Sequence, residues 1–369
     1  MFRERRLLQA DLNIFLSLVT TLIVIGFLFI YSSSSVYALE KLGSAHYFVK
    51  KHSFGLLLGI IAGCVTRYLP LDLIKVTSPL LFFTSLILTT MTMLTPFAQR
   101  IHGSSRWLNL GGLVFQPSEL LKMSLLIYIA YFLTKKERYK KSFMYGYLPF
   151  LIILGISCGL LLKQPDFGLA ATLGATTFIL LFIAQFNTSY LVITVAAALP
   201  GLIGLVYFFP YRWKRIMTFL NPWQDPQGAG FQIIQSLIAI GSGSMWGAGI
   251  SHSKQKFFYL PMQHTDFIFS IIAEETGFVG STLIVILYVL FTYYGMRIAW
   301  RMKDTFSVFV TLGFVILTSM QAVINLLVTT GLVPTKGVGL PFISYGNSAL
   351  ICSLAMIGLI INCTNEQRL

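Results

Sequence analysis

Apolar positions along this chain come in long blocks rather than in the alternating or amphipathic patterns of a water-soluble fold. Ten blocks stand out, at about 13–36, 53–69, 75–95, 118–134, 145–162, 168–185, 190–209, 267–296, 305–328 and 347–363. Most approach the roughly 17–25 residues that cross a bilayer core as a helix. The pattern predicts an all-α polytopic membrane protein, a single integral membrane domain over 1–369, with both termini on one side. Polar sequence then collects on the opposite side in four segments, 96–117, 163–167, 210–266 and 329–346. The longest, 210–266 between spans seven and eight, exceeds an ordinary connector. Its stretch "GFQIIQSLIAIGSGSMWGAGI" reads as a short or re-entrant helix ending at Gly241, then a glycine-rich turn. Such backbone survives at membrane depth only when buried in protein or lining a watery cavity.

Composition agrees. The chain of 369 residues is 56% hydrophobic and 11% charged, against roughly 25% charged for a soluble domain. The net charge of +14 does not point to nucleic acid, because the basic residues gather at span ends and form no stripe with interleaved aromatics. Their distribution orients the chain instead. Arg3, Arg5, Arg6, Arg67, Lys75, the "KKERYKK" run, Arg297, Arg301, Lys303 and Arg368 fall on the side of the termini. Five of the opposing basic residues lie in the long loop, where charge has little influence on topology. Both termini are expected in the cytoplasm. Cys64, Cys158, Cys352 and Cys363 lie in or beside apolar blocks, which suits packing rather than a disulfide or metal framework.

The outer segments hold the candidate chemistry, each with a plainer alternative. Asp266 opens the eighth span, where an Asp is a favoured helix cap, yet Thr265 could cap equally well and His264 adds a further polar group. Asp266, Ser270, Glu274 and Gly277 share one helix face, and Glu274 would lie about 12 Å deeper by helix rise. Ionisable groups at such depth are costly and usually functional or paired, so this stripe is expected to wall a cavity. Glu119 and Lys122 in "QPSELLK" have the spacing of a helix-surface ion pair. Arg106 beside Trp107 is either an interfacial anchor or a headgroup-binding guanidinium. Asp166 in "QPDFG" is either a turn residue or a second cavity carboxylate. Lys336, Thr335 and Ser344 lie in a loop rich in Gly and Pro and offer donors for phosphate oxygens. Arg212, Lys214, Arg215, Lys254 and Lys256 read as a charged rim that attracts anionic headgroups. No Walker loop, dinucleotide fingerprint or metal-ligand spacing appears, which excludes a nucleotide-powered pump in this chain.

Four blocks in order, "HGSSRWLNLGGLVFQPSELLK", "QPDFG", "PMQHTDFIFSIIAEETGFVG" and "TGLVPTKGVGLPFISYGNS", resemble the SEDS family of cell-shape, division and sporulation membrane proteins (FtsW, RodA and SpoVE). The run "VPTKGVGLPFISYG" looks more like the division-type branch. Gly346-Asn347-Ser348 departs from the family's Gly-Gly-Ser, and Asn is the best replacement for a glycine at positive φ. The resemblance implies a peptidoglycan glycosyltransferase that polymerises lipid II, an undecaprenyl-pyrophosphate disaccharide-pentapeptide, at the outer face of the cytoplasmic membrane. It further implies a class B penicillin-binding protein and other divisome proteins as partners, surrounding membrane lipid, and a divalent cation (Mg or Mn) as a candidate cofactor. In these terms Asp266 is the general base. Arg106, Lys122 and Lys336 contact pyrophosphate or headgroup, Glu119 holds Lys122, and Asp166 and Glu274 shape the cavity, with His264 and Ser344 beside it. The alternatives are a lipid II flippase, the elongation-type polymerase of the same family, or a non-catalytic scaffold.

Overall fold

A computed structural model of the chain describes residues 2–94, 98–101, 104–110, 113–135, 139–256, 260–261 and 263–366. Each of the ten apolar blocks is a helix: α1 (Phe2–Leu42), α2 (Tyr47–Tyr68), α3 (Leu71–Leu94), α4 (Pro117–Lys135), α5 (Leu148–Lys163), α6 (Phe167–Ile183), α7 (Thr188–Tyr207), α10 (Ile268–Arg301), α11 (Thr305–Thr329) and α12 (Asn347–Glu366). The long loop adds α8 (Pro210–Leu220) and α9 (Phe231–Ser242). Seven of the described helices are long and apolar enough to cross a membrane; α6 is apolar but shorter, and so is α7 over Thr188–Gly201. The chain is therefore a helical polytopic membrane protein.

Contacts between helix ends sort the bundle into two faces. On one, Asn362 Nδ2 donates to the carbonyls of Thr66 (2.9 Å) and Leu69 (2.6 Å). Asp11 pairs there with Arg297 and Arg301, each at 3.2 Å, and Lys75 with Asp304 at 3.6 Å. Both ends of the chain lie on this face. The opposite face gathers the N-terminal ends of α4, α6, α10 and α12, joined by bonds such as Gln116 N–H to Ser348 Oγ (3.0 Å) and Tyr345 N–H to the His264 carbonyl (3.0 Å).

Sequence pattern alone missed one element on this second face. The segment between α3 and α4, read above as a loop, contains a three-stranded antiparallel meander of β1 (Ala98–Ile101), β2 (Ser104–Leu110) and β3 (Leu113–Phe115). Leu108 pairs with Ala98 on one side and Phe115 on the other and is 2% exposed. That inward residue fixes which strand face covers the bundle. His102, Gly111 and Gly112 of this block lie outside the described residues.

α2 and α12 pack backbone to backbone. A Cβ on Gly358 would sit 2.0 Å from the Gly63 carbonyl oxygen, so neither helix could approach the other if this position carried a side chain. Small residues at such crossings replace the hydrophobic drive that lipid removes. Asn347, expected to rescue a positive φ, is not in the left-handed region. Its side chain fits instead because α2 offers Gly55, whose Cβ would lie 2.7 Å from Asn347 Oδ1.

α10 is broken at Gly277 (φ 66°, ψ −162°). The turn after α9 fills the gap. Ala248 and Gly249 N–H donate to the carbonyls of Glu274 (2.9 Å) and Glu275 (3.0 Å), while Phe278 and Val279 N–H donate to Ser244 (2.9 Å) and Met245 (3.3 Å). Four backbone groups flanking the break are thus satisfied by the re-entrant segment, as an apolar surrounding demands. A Cβ on Gly277 would lie 2.4 Å from Gly247 N, in a backbone region open only to glycine. Gly277→Ala is expected to destabilise the fold by at least roughly 1–3 kcal/mol, read as a lower unfolding temperature in detergent. An unchanged midpoint would mean that the insertion is not needed.

Candidate functional site

The site forms where the ends of α6, α10 and α12 meet β2 and the loop that precedes α12. Arg106, on β2, is committed to the short turn before α6. Its Nε donates to the Gln164 carbonyl (3.1 Å), Nη2 to the Pro165 carbonyl (2.6 Å), and Nη1 lies 3.4 Å from Asp166 Oδ2. Asp166 also caps α6 by accepting from Leu169 N–H (3.2 Å). Asp166 is thus a cap and also a buried neighbour of the site, while Arg106, read as an interfacial anchor or a headgroup ligand, instead braces that turn. Burial raises the Asp166 carboxyl above its ordinary range, and the Arg106 guanidinium opposes this.

Asp266 behaves differently. α10 begins after Phe267 with no side-chain cap, so the plain capping role expected of Asp266 is absent. Its carbonyl accepts from Asn325 Nδ2 (2.7 Å), but among the described residues no donor engages its carboxylate. That carboxylate is half-buried and faces Gly337, where a Cβ would lie 3.3 Å from Oδ2. Burial, and secondarily the like charge of Asp166, push its pKa up to about 6, against the pull of Arg106 and Arg215. It is a carboxylate with no donor among the described residues, in the field of Arg106 and Arg215.

The loop 332–346 closes the other side and is pinned from several elements. Arg215 Nη1 on α8 donates to the Thr335 carbonyl (3.0 Å). Tyr288 of α10 donates to the Pro341 carbonyl. Ser344 Oγ donates to the Thr265 carbonyl (2.7 Å) and accepts from Leu340 N–H (2.6 Å). Ser344 is therefore a brace for the Asp266 segment, with its hydroxyl engaged at both ends. Lys336 lies over the Phe167 ring, Nζ 4.8 Å from its centroid, and burial lowers its pKa. His264 stacks among Phe48, Tyr37 and Tyr345. Burial depresses its pKa to about 4, so it is neutral at physiological pH and supports the segment by packing.

Glu119 and Lys122 meet as their spacing predicts, whereas Glu274 falls elsewhere than its helical pattern suggested. Glu119 and Lys122 form a buried pair at 2.5 Å, which takes Lys122 out of reach as a free headgroup cation; both act on the site through the field they impose on Asp166. Glu274 does not line the site at all. It accepts from Ser253 Oγ and from Lys254 N–H (2.8 Å), and Ser270, one turn below Asp266, shares a 2.6 Å hydrogen bond with Ser236 of α9. The polar stripe of α10 is covered by the re-entrant segment, because the break at Gly277 draws that segment in. Neighbouring Glu275 is likewise engaged, by Ser32 Oγ (2.6 Å) and by Lys256 (3.4 Å).

Arg215 and Asn325 belong to the site and were not singled out by pattern. Arg215 was one of five rim cations, and only its bond to Thr335 distinguishes it. For a divalent ion the donor set is poor. Among the described residues no three His, Cys, Asp or Glu side chains converge, and Asp166 is already held by Arg106 and the Leu169 N–H.

The fold is that of a helical polytopic membrane protein whose candidate site gathers at the N-terminal ends of several helices. The chain belongs to the cell cycle protein family that groups FtsW, RodA and SpoVE, whose profile matches residues 12–369. It is 42% identical over 364 residues to a probable peptidoglycan glycosyltransferase FtsW of Trichlorobacter lovleyi, covering 99% of this chain and 95% of that one. Stage V sporulation protein E of Bacillus subtilis is 37% identical over 94% of each chain. Among solved structures, a chain of a peptidoglycan synthase complex, described for its structural coordination of polymerization and crosslinking, superposes with a TM-score of 0.78 at 30% identity, covering 95% of this chain and 97% of that one. Rod shape determining protein RodA of Thermus thermophilus does so at 0.71 and 26%, covering 96% and 97%.

Because the folded state raises the Asp266 pKa from 3.8 to about 6, this acid favours folding only while protonated. Its contribution is complete below about pH 4 and is lost as pH rises through about 6. Asp266→Asn is therefore expected to unfold at a higher temperature than the native chain at pH 7.5, with the gap closing by pH 4. Equal midpoints at pH 7.5 would show that the carboxylate is solvated rather than buried.

Proposed function

We propose that this chain is a peptidoglycan glycosyltransferase that polymerises lipid II on the extracytoplasmic side of the bacterial cytoplasmic membrane, in septal wall synthesis. The observation that carries the reading is the Asp266 carboxylate: half-buried, not used as a helix cap, without a hydrogen-bond donor among the described residues, and with its pKa raised to about 6. A group ionised at neutral pH yet more basic than an ordinary carboxylate is suited to remove a proton in a transition state. The polar end of the bundle, opposite both termini, is the extracytoplasmic face if the positive-inside rule holds for this chain. The run "VPTKGVGLPFISYG" and the relative named FtsW support the septal branch.

The chemistry is a single displacement. The 4-hydroxyl of the acceptor sugar attacks the anomeric carbon of the donor, its proton passes to Asp266, and the bond from that carbon to the lipid pyrophosphate breaks. Attack from the face opposite the leaving group turns an α-linked donor into a β-linked glycan. Charge accumulates on the departing pyrophosphate. Lys336 and Arg215, together with the positive ends of α6 and α12, are the groups placed to receive it. Arg106 serves mainly by holding the Gln164–Asp166 turn and by keeping Asp266 ionisable. A class B penicillin-binding protein is the partner that would crosslink the product, with other divisome proteins around it. The relative solved within a synthase complex supports that association.

Extension of glycan from purified lipid II, followed on gels, tests the reading. Asp266→Asn and Asp266→Ala are expected to lose at least about a hundredfold in rate. The native rate should fall as pH drops through about 6, where the base becomes protonated. Arg215→Ala should move that fall to higher pH, since Arg215 holds the Asp266 pKa down. Full polymerisation by Asp266→Ala would sink the assignment. Translocation of lipid II across vesicles without glycan growth would favour a flippase.

A further inference from the structure

Asn325 stands out among the buried polar groups that the chemistry above leaves unused. It lies on α11, is 1% exposed, and is surrounded by apolar sequence, "AVINLLV". Its Nδ2 donates to two carbonyls at once, Asp266 (2.7 Å) and Val338 (2.7 Å). Both partners can only accept, so the amide nitrogen must face them. One side chain thus joins the residue that carries the base to the loop that carries Lys336 and Gly337. The α11 backbone that carries it is tied in turn: Thr329 Oγ1 donates to the Asn325 main-chain carbonyl (3.0 Å), and the Thr329 carbonyl accepts from Ser236 (2.6 Å), which bonds Ser270 one turn down α10 from Asp266.

We propose that Asn325 is a positioning residue for the transfer reaction: its amide clamps the Asp266 backbone to the loop 332–346 and so aims the carboxylate at the mouth of the site. The proposal rests on the general-base reading of Asp266. The argument is one of degrees of freedom. Asp266 precedes α10 and lacks the capping bond that would otherwise fix a residue there. Its carboxylate has no donor of its own among the described residues. The backbone is therefore the only handle by which this side chain can be aimed, and Asn325 is the side chain that grips it. Ser344 grips the preceding carbonyl, of Thr265 (2.7 Å), so two consecutive peptide units are tied to the same loop. A base that must meet a substrate hydroxyl at about 2.6–3.2 Å tolerates little play.

The test compares Asn325→Leu, which keeps bulk but has no donor, with Asn325→Gln, which restores an amide, in the full-length chain. For Asn325→Leu the expected result is a kcat at least tenfold lower with KM within twofold of the native value. The acid-side fall in rate should also shift to lower pH, because a loosened Asp266 gains water and loses the burial that raises its pKa. The charges facing Asp266 that also set this pH, Arg106, Asp166 and Arg215, are unaltered in these variants. Asn325→Gln is expected to recover the native pH profile and most of kcat. A folded Asn325→Leu with native kcat and an unmoved pH profile would overturn the proposal, as would a lowered unfolding temperature accompanied by native kcat per folded molecule. Should Asn325→Leu not fold, Asn325→Ser, able to reach one carbonyl at most, is read by the same two measurements. A several-fold lower kcat with a shifted profile supports the clamp, and native values refute it. Asp266→Asn, assayed in parallel, separates the two ideas: activity there defeats the base itself, whatever Asn325 does.

Discussion

The bilayer allows no unpaired backbone group in contact with lipid, and the architecture of the outer half follows from how that demand is met at one place. α10 cannot be a continuous helix through Gly277, so four of its peptide groups need partners from elsewhere. The glycine-rich turn after α9 provides them, and this seats α9 and residues 251–256 against the helix. Glu274 and Glu275 then hold that segment through Ser253, Lys254 and Lys256, and Glu275 also ties it to Ser32 of α1. With this wedge in place, the start of α10 has a fixed height and direction, and Asp266 inherits both.

Around Asp266 the electrostatics oppose one another. Burial and Asp166 raise its pKa, whereas Arg106 and Arg215 lower it. The outcome is a carboxylate that is ionised at neutral pH while keeping affinity for a proton. Neither tendency alone would serve: a salt-bridged acid would be too weak a base, and a fully desolvated one would stay protonated. Arg106 achieves its share without sealing the site, since its guanidinium is spent on the two carbonyls and the carboxylate of the turn before α6.

Much of this was legible in the chain itself. The ten apolar blocks became ten helices because helix is the low-cost solution for backbone in lipid, whatever the neighbours. Asp266 was visible because a second residue, Thr265, could have done its capping work. What escaped notice depended on long-range pairing. Glu274 looked like a cavity wall because helical spacing aligns it with Asp266, yet its partners arrive from a turn about twenty positions earlier, whose path depends on the break at Gly277. Asn325 reads as one amide among apolar neighbours, and only the carbonyls of distant Asp266 and Val338 give it meaning. The small sheet did leave a trace, the alternation in "SSRWLNL", which a reading tuned to long apolar blocks passes over.

The glycine crossing of α2 and α12 bears on how the molecule comes into being. α12 is made long after α2, so the groove that receives it, along Gly55 and Gly63 of α2, enters the membrane first. The pinned loop that carries Lys336 precedes α12 directly, so it acquires its final path only when that groove is filled. A chain lacking α12 would hold Asp266 without its opposing wall, so competence would wait on the docking of that helix.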